Sequence, residues 1–119
     1  MNYFTNPEIS CPCCGKNNAP ERIVQAMNLA RQFAGIAFKI NSWCRCEEHN
    51  EKVGGLPRSF HLDGIAIDIS ATTDSKRFSV IEGLLKAGFT RILIYPNFIH
   101  VDGSKIAVDN IIKLMPAKK

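Results

Sequence analysis

The sequence predicts an α+β domain in which helices pack on one face of a mainly antiparallel sheet and the other face is free to hold a cleft. Two segments carry apolar residues at three- and four-residue spacing, as helices do. Several short segments alternate apolar and polar residues, as half-buried strands do. The last two of these are joined by the short connection Pro96-Asn97.

Residues 1–18 contain Pro7, Pro12, Gly15 and the adjacent Asn17 and Asn18, and read as an irregular, turn-rich lead-in. Pro20 suits a first helical turn, with Glu21 behind it. Ile23, Ala26, Met27, Ala30, Phe33 and Ala34 then form an apolar face that ends at Gly35. Residues 38–44 alternate as a strand. Residues 47–60 are polar, carry Gly54, Gly55 and Pro57, and read as a long loop of the functional kind. Residues 65–70 alternate strictly, with Ile65, Ile67 and Ile69 on one face and Ala66, Asp68 and Ser70 on the other. Thr73 or Asp74 can cap a second helix whose stripe is Phe78, Ile81, Leu84 and Leu85, ending at Gly88. Residues 91–95 and 98–102 are further strands, and residues 105–114 fit a strand or a helix.

A length of 119 residues suits one compact unit, so residues 1–119 are expected to be a single domain with the lead-in at its start. With 45% hydrophobic and 22% charged residues the composition is that of a soluble globular protein, and no apolar run reaches the ~20 residues of a membrane span. The net charge of +4 comes from scattered Lys and Arg and from Lys113, Lys118 and Lys119. No dense basic stripe marks a nucleic-acid groove, although a mild positive field suits an anionic polymer. The first seven residues lack the features of a secretory signal. The expectation is synthesis in the cytoplasm, with release by a phage or lysis system if the protein acts at a cell wall. The sequence does not give the oligomeric state, and a monomer is the expectation.

Five cysteines fall in two clusters, Cys11, Cys13 and Cys14, then Cys44 and Cys46. Cys11 to Cys14 is a clean Cys-x-x-Cys hook, whereas Cys44-x-Cys46 is too tight for one. A structural zinc, a disulfide between the clusters, and buried free thiols all remain open.

The chemistry concentrates elsewhere. His61 ends the polar segment, Asp68 is the one charge in an apolar strand, and His100 alternates with Ile99 and Val101 on a later strand. Two imidazoles and a carboxylate suit Zn²⁺ and leave a fourth position for water, as catalytic sites do. Singly, each residue is more simply read as a surface or core polar group. Together, Asp68 and His100 can face one cleft while their neighbours fill the core.

The run Ser42-Trp43-Cys44-Arg45-Cys46-Glu47-Glu48-His49-Asn50, then Val53-Gly54-Gly55, Ser59-Phe60-His61-Leu62-Asp63-Gly64-Ile65-Ala66-Ile67-Asp68-Ile69 and Tyr95-Pro96-Asn97-Phe98-Ile99-His100-Val101-Asp102, resembles the zinc D-Ala-D-Ala carboxypeptidases and L-alanyl-D-glutamate endopeptidases. The opening Cys-x-x-Cys-Gly is similar to their small, phage-associated branch. The resemblance implies a hedgehog-like metallopeptidase fold and one catalytic Zn²⁺ bound by His61, Asp68 and His100. It further implies that Arg45 contacts the substrate peptide and that the substrate is the peptide part of bacterial peptidoglycan. Many relatives carry an acidic general base three residues before the last zinc histidine, where this chain has Asn97, which takes no proton. Asp102 is the nearest substitute, as base, as a partner that orients a zinc histidine, or as a turn carboxylate before Gly103. The competing readings are a catalytically degenerate, zinc-containing peptidoglycan-binding module and a cysteine-zinc nucleic-acid binder. The second leaves His61, Asp68 and His100 unexplained.

Overall fold

Five strands form one sheet in the order β1-β2-β4-β3-β5, in a computed structural model that describes residues 2–104 and 110–117. They are β1 (Ile40–Ser42), β2 (Ala66–Ser70), β3 (Arg91–Ile94), β4 (Phe98–Asp102) and β5 (Ile111–Leu114). All pairings are antiparallel except that of β3 with β5. The expected α+β class therefore holds. Alternation sorts the two central strands cleanly. Ile67 lies opposite Val101 and Ile69 opposite Ile99, all fully buried, while Asp68 pairs with His100 on the other parity. Full burial of side chains this size favours the folded state by about 1.5–3 kcal/mol each, enough to fix the register, because a one-residue slip would exchange the two sets.

The buried aliphatic set meets two long helices, α2 (Glu21–Ala34) and α4 (Asp74–Lys86), in one core with Met27, Ala30, Val80 and Leu84. Pro20 and Gly35 bound α2 as expected, and the Thr73 hydroxyl caps α4 by accepting the Lys76 N–H at 3.2 Å. The inward face of α4 differs from the expected stripe. Leu84 is buried and Ile81 packs on the core as expected, but Phe78 is 67% and Leu85 47% exposed, and Val80 and Gly83 turn inward instead. Gly83 explains the shift: a Cβ there would overlap the Ala30 carbonyl, so its absence lets α4 lie close on α2 along that line.

Other expectations need correction. The strand over 38–44 shrinks to β1, whose pairing with β2 is irregular between Ile40 and Ser42. Past it, Trp43 is buried and donates its indole N–H to the Gly64 carbonyl at 2.9 Å, while the Cys44 N–H bonds the Ile9 carbonyl at 3.0 Å. The polar segment over 47–60 is not all loop. It holds α3 (Glu47–Lys52), with Glu47 and Glu48 in its first turn, and runs into a 3₁₀ turn over Phe60–Asp63. The lead-in also holds a short helix, α1 (Asn6–Ile9), tied by the Glu8 carboxylate accepting the Thr5 N–H at 2.9 Å and by buried Ile9. Of the ambiguous 105–114 stretch, residues 111–114 form β5, and residues 105–109 lie outside the described residues.

Candidate metal centre

His61, Asp68 and His100 converge so that one donor atom from each lies within 4.8 Å of the others. Antiparallel register delivers two of them, since Asp68 and His100 are cross-strand partners on β2 and β4. The 3₁₀ turn delivers the third, anchored where the Ser59 hydroxyl accepts the His61 N–H at 3.2 Å. His61 Nε2 lies 3.3 Å from Asp68 Oδ2, and His100 Nδ1 lies 2.9 Å from Asp68 Oδ1. Tetrahedral Zn–N and Zn–O bonds of about 2.0–2.1 Å place neighbouring donors about 3.3 Å apart, which the His61–Asp68 distance matches, while the shorter His100–Asp68 distance is that of a hydrogen bond.

The far side of each ring is fixed as well. His61 Nδ1 lies 2.8 Å from the Trp43 carbonyl, which only accepts, so Nδ1 carries a proton there and Nε2 is the nitrogen that faces the centre. His100 Nε2 lies 2.9 Å from Asp102 Oδ2, leaving Nδ1 to face the centre. Asp102 is itself saturated. Oδ2 also accepts from Arg91 Nε at 3.0 Å, and Oδ1 accepts the Ser104 N–H at 3.2 Å. Burial alone would push the Asp68 carboxyl up, but hydrogen bonds from His100 and His61 hold it well below the usual carboxylate range. Burial likewise pulls the His100 imidazole down, and its bonds to Asp102 and Asp68 outweigh that and raise it above the ordinary histidine value. Such an ionic cluster is held together by opposite charges in low dielectric and suits replacement of the His100 Nδ1 proton by a cation.

Arg45 forms the adjoining wall and is only 5% exposed. Its Nε donates to the Ser42 hydroxyl at 3.0 Å, Nη1 to Asn50 Oδ1 at 3.1 Å, and Nη2 lies 3.5 Å from Asp68 Oδ2. Burial lowers its pKa, and the Asp68 charge opposes that. Gly55 makes this packing possible, because a Cβ there would overlap Asn50 Oδ1. Two adjoining hollows share Arg45, Asp68 and Phe98. One extends toward His49 and Val53, the other past His61 and His100 to Leu56 and Tyr95. Together they make a groove running across the donor triangle.

The sequence profile of the Peptidase M15 family matches residues 2–102, most of the chain and all of this groove. The chain belongs to the Peptidase M15 family. No curated protein matches it. M15 peptidases are zinc metallopeptidases, and the His61, Asp68 and His100 triangle is a donor set of that kind.

The geometry brings together His61, Asp68, His100 and Arg45, with Asp102 behind His100. Asn97 lies apart, exposed on the β3–β4 turn. Sequence reasoning gave no role to three residues the M15 groove uses. Asn50 ties Arg45 to the Leu56 carbonyl, which its Nδ2 reaches at 2.7 Å. His49 lines the groove from α3. Tyr95 stacks on Phe98 at 4.4 Å between ring centroids, and burial and the Asp68 charge push its phenol up. Tyr95 opens one of the runs that carry the resemblance, but its place at a strand end, which many structural tyrosines share, gave it no role.

Proposed function

We propose that this M15 peptidase hydrolyses peptide bonds of bacterial peptidoglycan, as a D-Ala-D-Ala carboxypeptidase or an L-alanyl-D-glutamate endopeptidase, with His61, Asp68 and His100 as its zinc ligands. The observation that carries the reading is the donor triangle in which each imidazole is already held through its outer nitrogen, His61 by the Trp43 carbonyl and His100 by Asp102. Metal-binding histidines are oriented in this way. What zinc supplies when bound is Lewis-acid polarisation of the scissile carbonyl and a more acidic water.

The protein's own residues do the rest. Arg45 spends one N–H on each of Ser42, Asn50 and Asp68, and its remaining N–H groups can dock a carboxylate of the wall peptide in the groove. Asp102 is a positioning residue. Both its oxygens are engaged, so it holds the His100 proton on Nε2 and keeps Nδ1 turned inward. Phe98, Leu56 and Tyr95 supply apolar walls that order the substrate backbone.

A second reading, a zinc-containing wall-binding module without turnover, is favoured by one observation. Among the described residues lining the groove, Asp68 is the sole carboxylate, so no acidic base stands beside the triangle. Purified peptidoglycan incubated with the protein, with and without chelator, separates the readings by mass spectrometry. Chelator-sensitive release of D-alanine identifies the carboxypeptidase, and new L-alanine C-termini identify the endopeptidase. Wall binding with no product identifies the module.

A further inference from the structure

We infer that the chain carries a second metal site, formed by the sulfurs of Cys11, Cys14 and Cys46, that takes a thiolate-seeking divalent ion of the zinc class and staples the lead-in to the base of the groove. The three Sγ atoms all lie within 4.8 Å of one another, and Cys11 and Cys46 are 3.7 Å apart. Zn–S bonds of about 2.3 Å in a tetrahedron set neighbouring sulfurs about 3.8 Å apart. A disulfide needs about 2.05 Å and would engage only two of the three sulfurs. The Cys11–Cys46 spacing matches the one a shared ion sets.

The backbone is shaped for the same purpose. Between Cys11 and Lys16 the chain closes on itself: the Gly15 N–H bonds the Cys11 carbonyl at 2.8 Å, and the Cys11 N–H bonds the Lys16 carbonyl at 2.8 Å. Gly15 has φ +78°, a left-handed conformation that glycine adopts freely, and this turn folds Cys14 back beside Cys11. Backbone donors then point at sulfur. The Cys46 N–H donates to Cys11 Sγ at 3.4 Å, and the His49 N–H to Cys46 Sγ at 3.4 Å, which makes Cys46 the cap of α3. N–H groups aimed at sulfur favour the thiolate, the form that binds metal.

Cys13 is exposed and stands outside the three-sulfur cluster. Cys44 has a different part: it is fully buried in the main core and packs as a small apolar residue. The site joins two stretches far apart in sequence. One is the turn after α1, and the other is the residue following Arg45, where α3 begins. A metal held there adds folding free energy to a small domain and fixes the segment that carries Arg45 and Asn50.

Metal counting on the full chain, purified under reducing conditions with zinc present, tests this. Two zinc atoms per chain are expected. His61→Ala should halve the content and leave an ion whose X-ray absorption shows sulfur neighbours at about 2.3 Å. Cys46→Ser should also halve it, leaving nitrogen and oxygen neighbours. If Cys46→Ser does not fold, the unmodified protein still decides the matter, because bound zinc should shield Cys11, Cys14 and Cys46 from native-state alkylation and chelator should expose them. A His61→Ala chain without zinc, or sulfurs alkylated equally with and without chelator, overturns the site. So does a Cys11–Cys46 disulfide in protein isolated without reductant. The His61→Ala chain reads the sulfur site alone, so its result stands whether or not the peptidase reading survives.

Discussion

The two donor clusters of this molecule are built in opposite ways. His61, Asp68 and His100 are placed largely by sheet register, with Asp68 directly across from His100 and the Ile67–Val101 and Ile69–Ile99 pairs locking the alignment on the other face. Cys11, Cys14 and Cys46 are placed by turns, namely the closed loop from Cys11 to Lys16 and the start of α3. The donor spacings differ accordingly, 3.3 Å for His61 with Asp68 and 3.7 Å for Cys11 with Cys46. The first cluster opens onto a groove and the second joins segments. A register-built site stays in place as long as the core does, whereas a turn-built site depends on its own ion.

The contrast is broken most strongly by removing a ligand from each cluster. His61→Ala or His100→Ala should abolish nitrogen/oxygen zinc and lower hydrolysis by at least about 10³-fold, since metal stabilisation of the transition state amounts to several kcal/mol. The fold should persist, because the core pairs are untouched. Cys46→Ser should do the reverse, lowering the melting temperature by about 10 °C or more, with activity measured well below that temperature falling far less. Calorimetry and turnover on the same proteins check both. Equal losses of both kinds in both variants would remove the distinction.

Arg45 bridges the two regions, and its replacement is the next largest effect. Arg45→Lys keeps a charge near Asp68 but loses the planar fork that reaches Ser42 and Asn50, so kcat/KM on a muropeptide should fall about 10²-fold at unchanged zinc content. Arg45→Ala also strips a buried partner from Asp68 and should cost the metal-free protein about 3–5 kcal/mol in denaturant unfolding. Unchanged kinetics in Arg45→Lys would reduce Arg45 to a structural role.

The register-built cluster was the legible one. A charge at Asp68 inside the isoleucine alternation and a histidine in step with Ile99 and Val101 announce a shared face, because strand periodicity carries that information locally. The second α-helix was found but its buried face only in part, since Leu84 and Ile81 face the core while Phe78 and Leu85 do not. Phe78 reads as core by residue type, whereas tight packing of Gly83 on Ala30 selects the neighbouring line of residues. The polar stretch after Cys46 hid α3, since its cap is a sulfur rather than a hydroxyl or carboxylate and its residues bury little apolar surface. Spacing alone left the cysteines open, because Cys44-x-Cys46 suggests a pair while the fold sends Cys44 into the core and Cys46 to the turn. The role of Asp102 was open in the same way. Neighbours from three sources, His100, Arg91 and Ser104, occupy its oxygens, and only the fold brings Arg91 beside it.

Asp102 gives the pH prediction. In the metal-free protein His100 is raised, so its contribution to stability is complete below the ordinary histidine range and is lost as pH rises through its raised value. Asp68 is depressed, so its contribution is present above the ordinary carboxylate range and is lost as pH falls through its depressed value. Zinc must displace the His100 Nδ1 proton, so zinc affinity should decline as pH drops below the raised His100 value. Asp102→Asn removes the larger of the two raising hydrogen bonds. It should weaken zinc about 10–100-fold at neutral pH and move the acid edge of binding to lower pH. Chelator competition across pH reads both, and an edge that stays in place would detach Asp102 from His100.

The smallest effect, and the sharpest test of how the groove works, is expected from Asn97→Asp. Asn97 is exposed on the turn between β3 and β4, and its backbone carbonyl accepts the Ala71 N–H at 3.0 Å. A surface substitution of this kind should change stability by no more than about 0.5 kcal/mol and leave zinc content alone. What it adds is a proton acceptor near a groove whose sole described lining carboxylate, Asp68, faces the proposed ion. A general base contributes about 10²–10⁴-fold when ideally placed, and a turn residue falls short of that, so a rise in kcat of up to about 10²-fold is expected with KM nearly constant. The rise should survive in the Asp102→Asn background at saturating zinc if Asp102 has the proposed positioning role, which acts on the metal and not on the proton. If kcat stays flat in both backgrounds while zinc content holds, the turn lies too far from the reacting water. The proton would then leave through a group already lining the groove, with His49 and Tyr95 the two to replace.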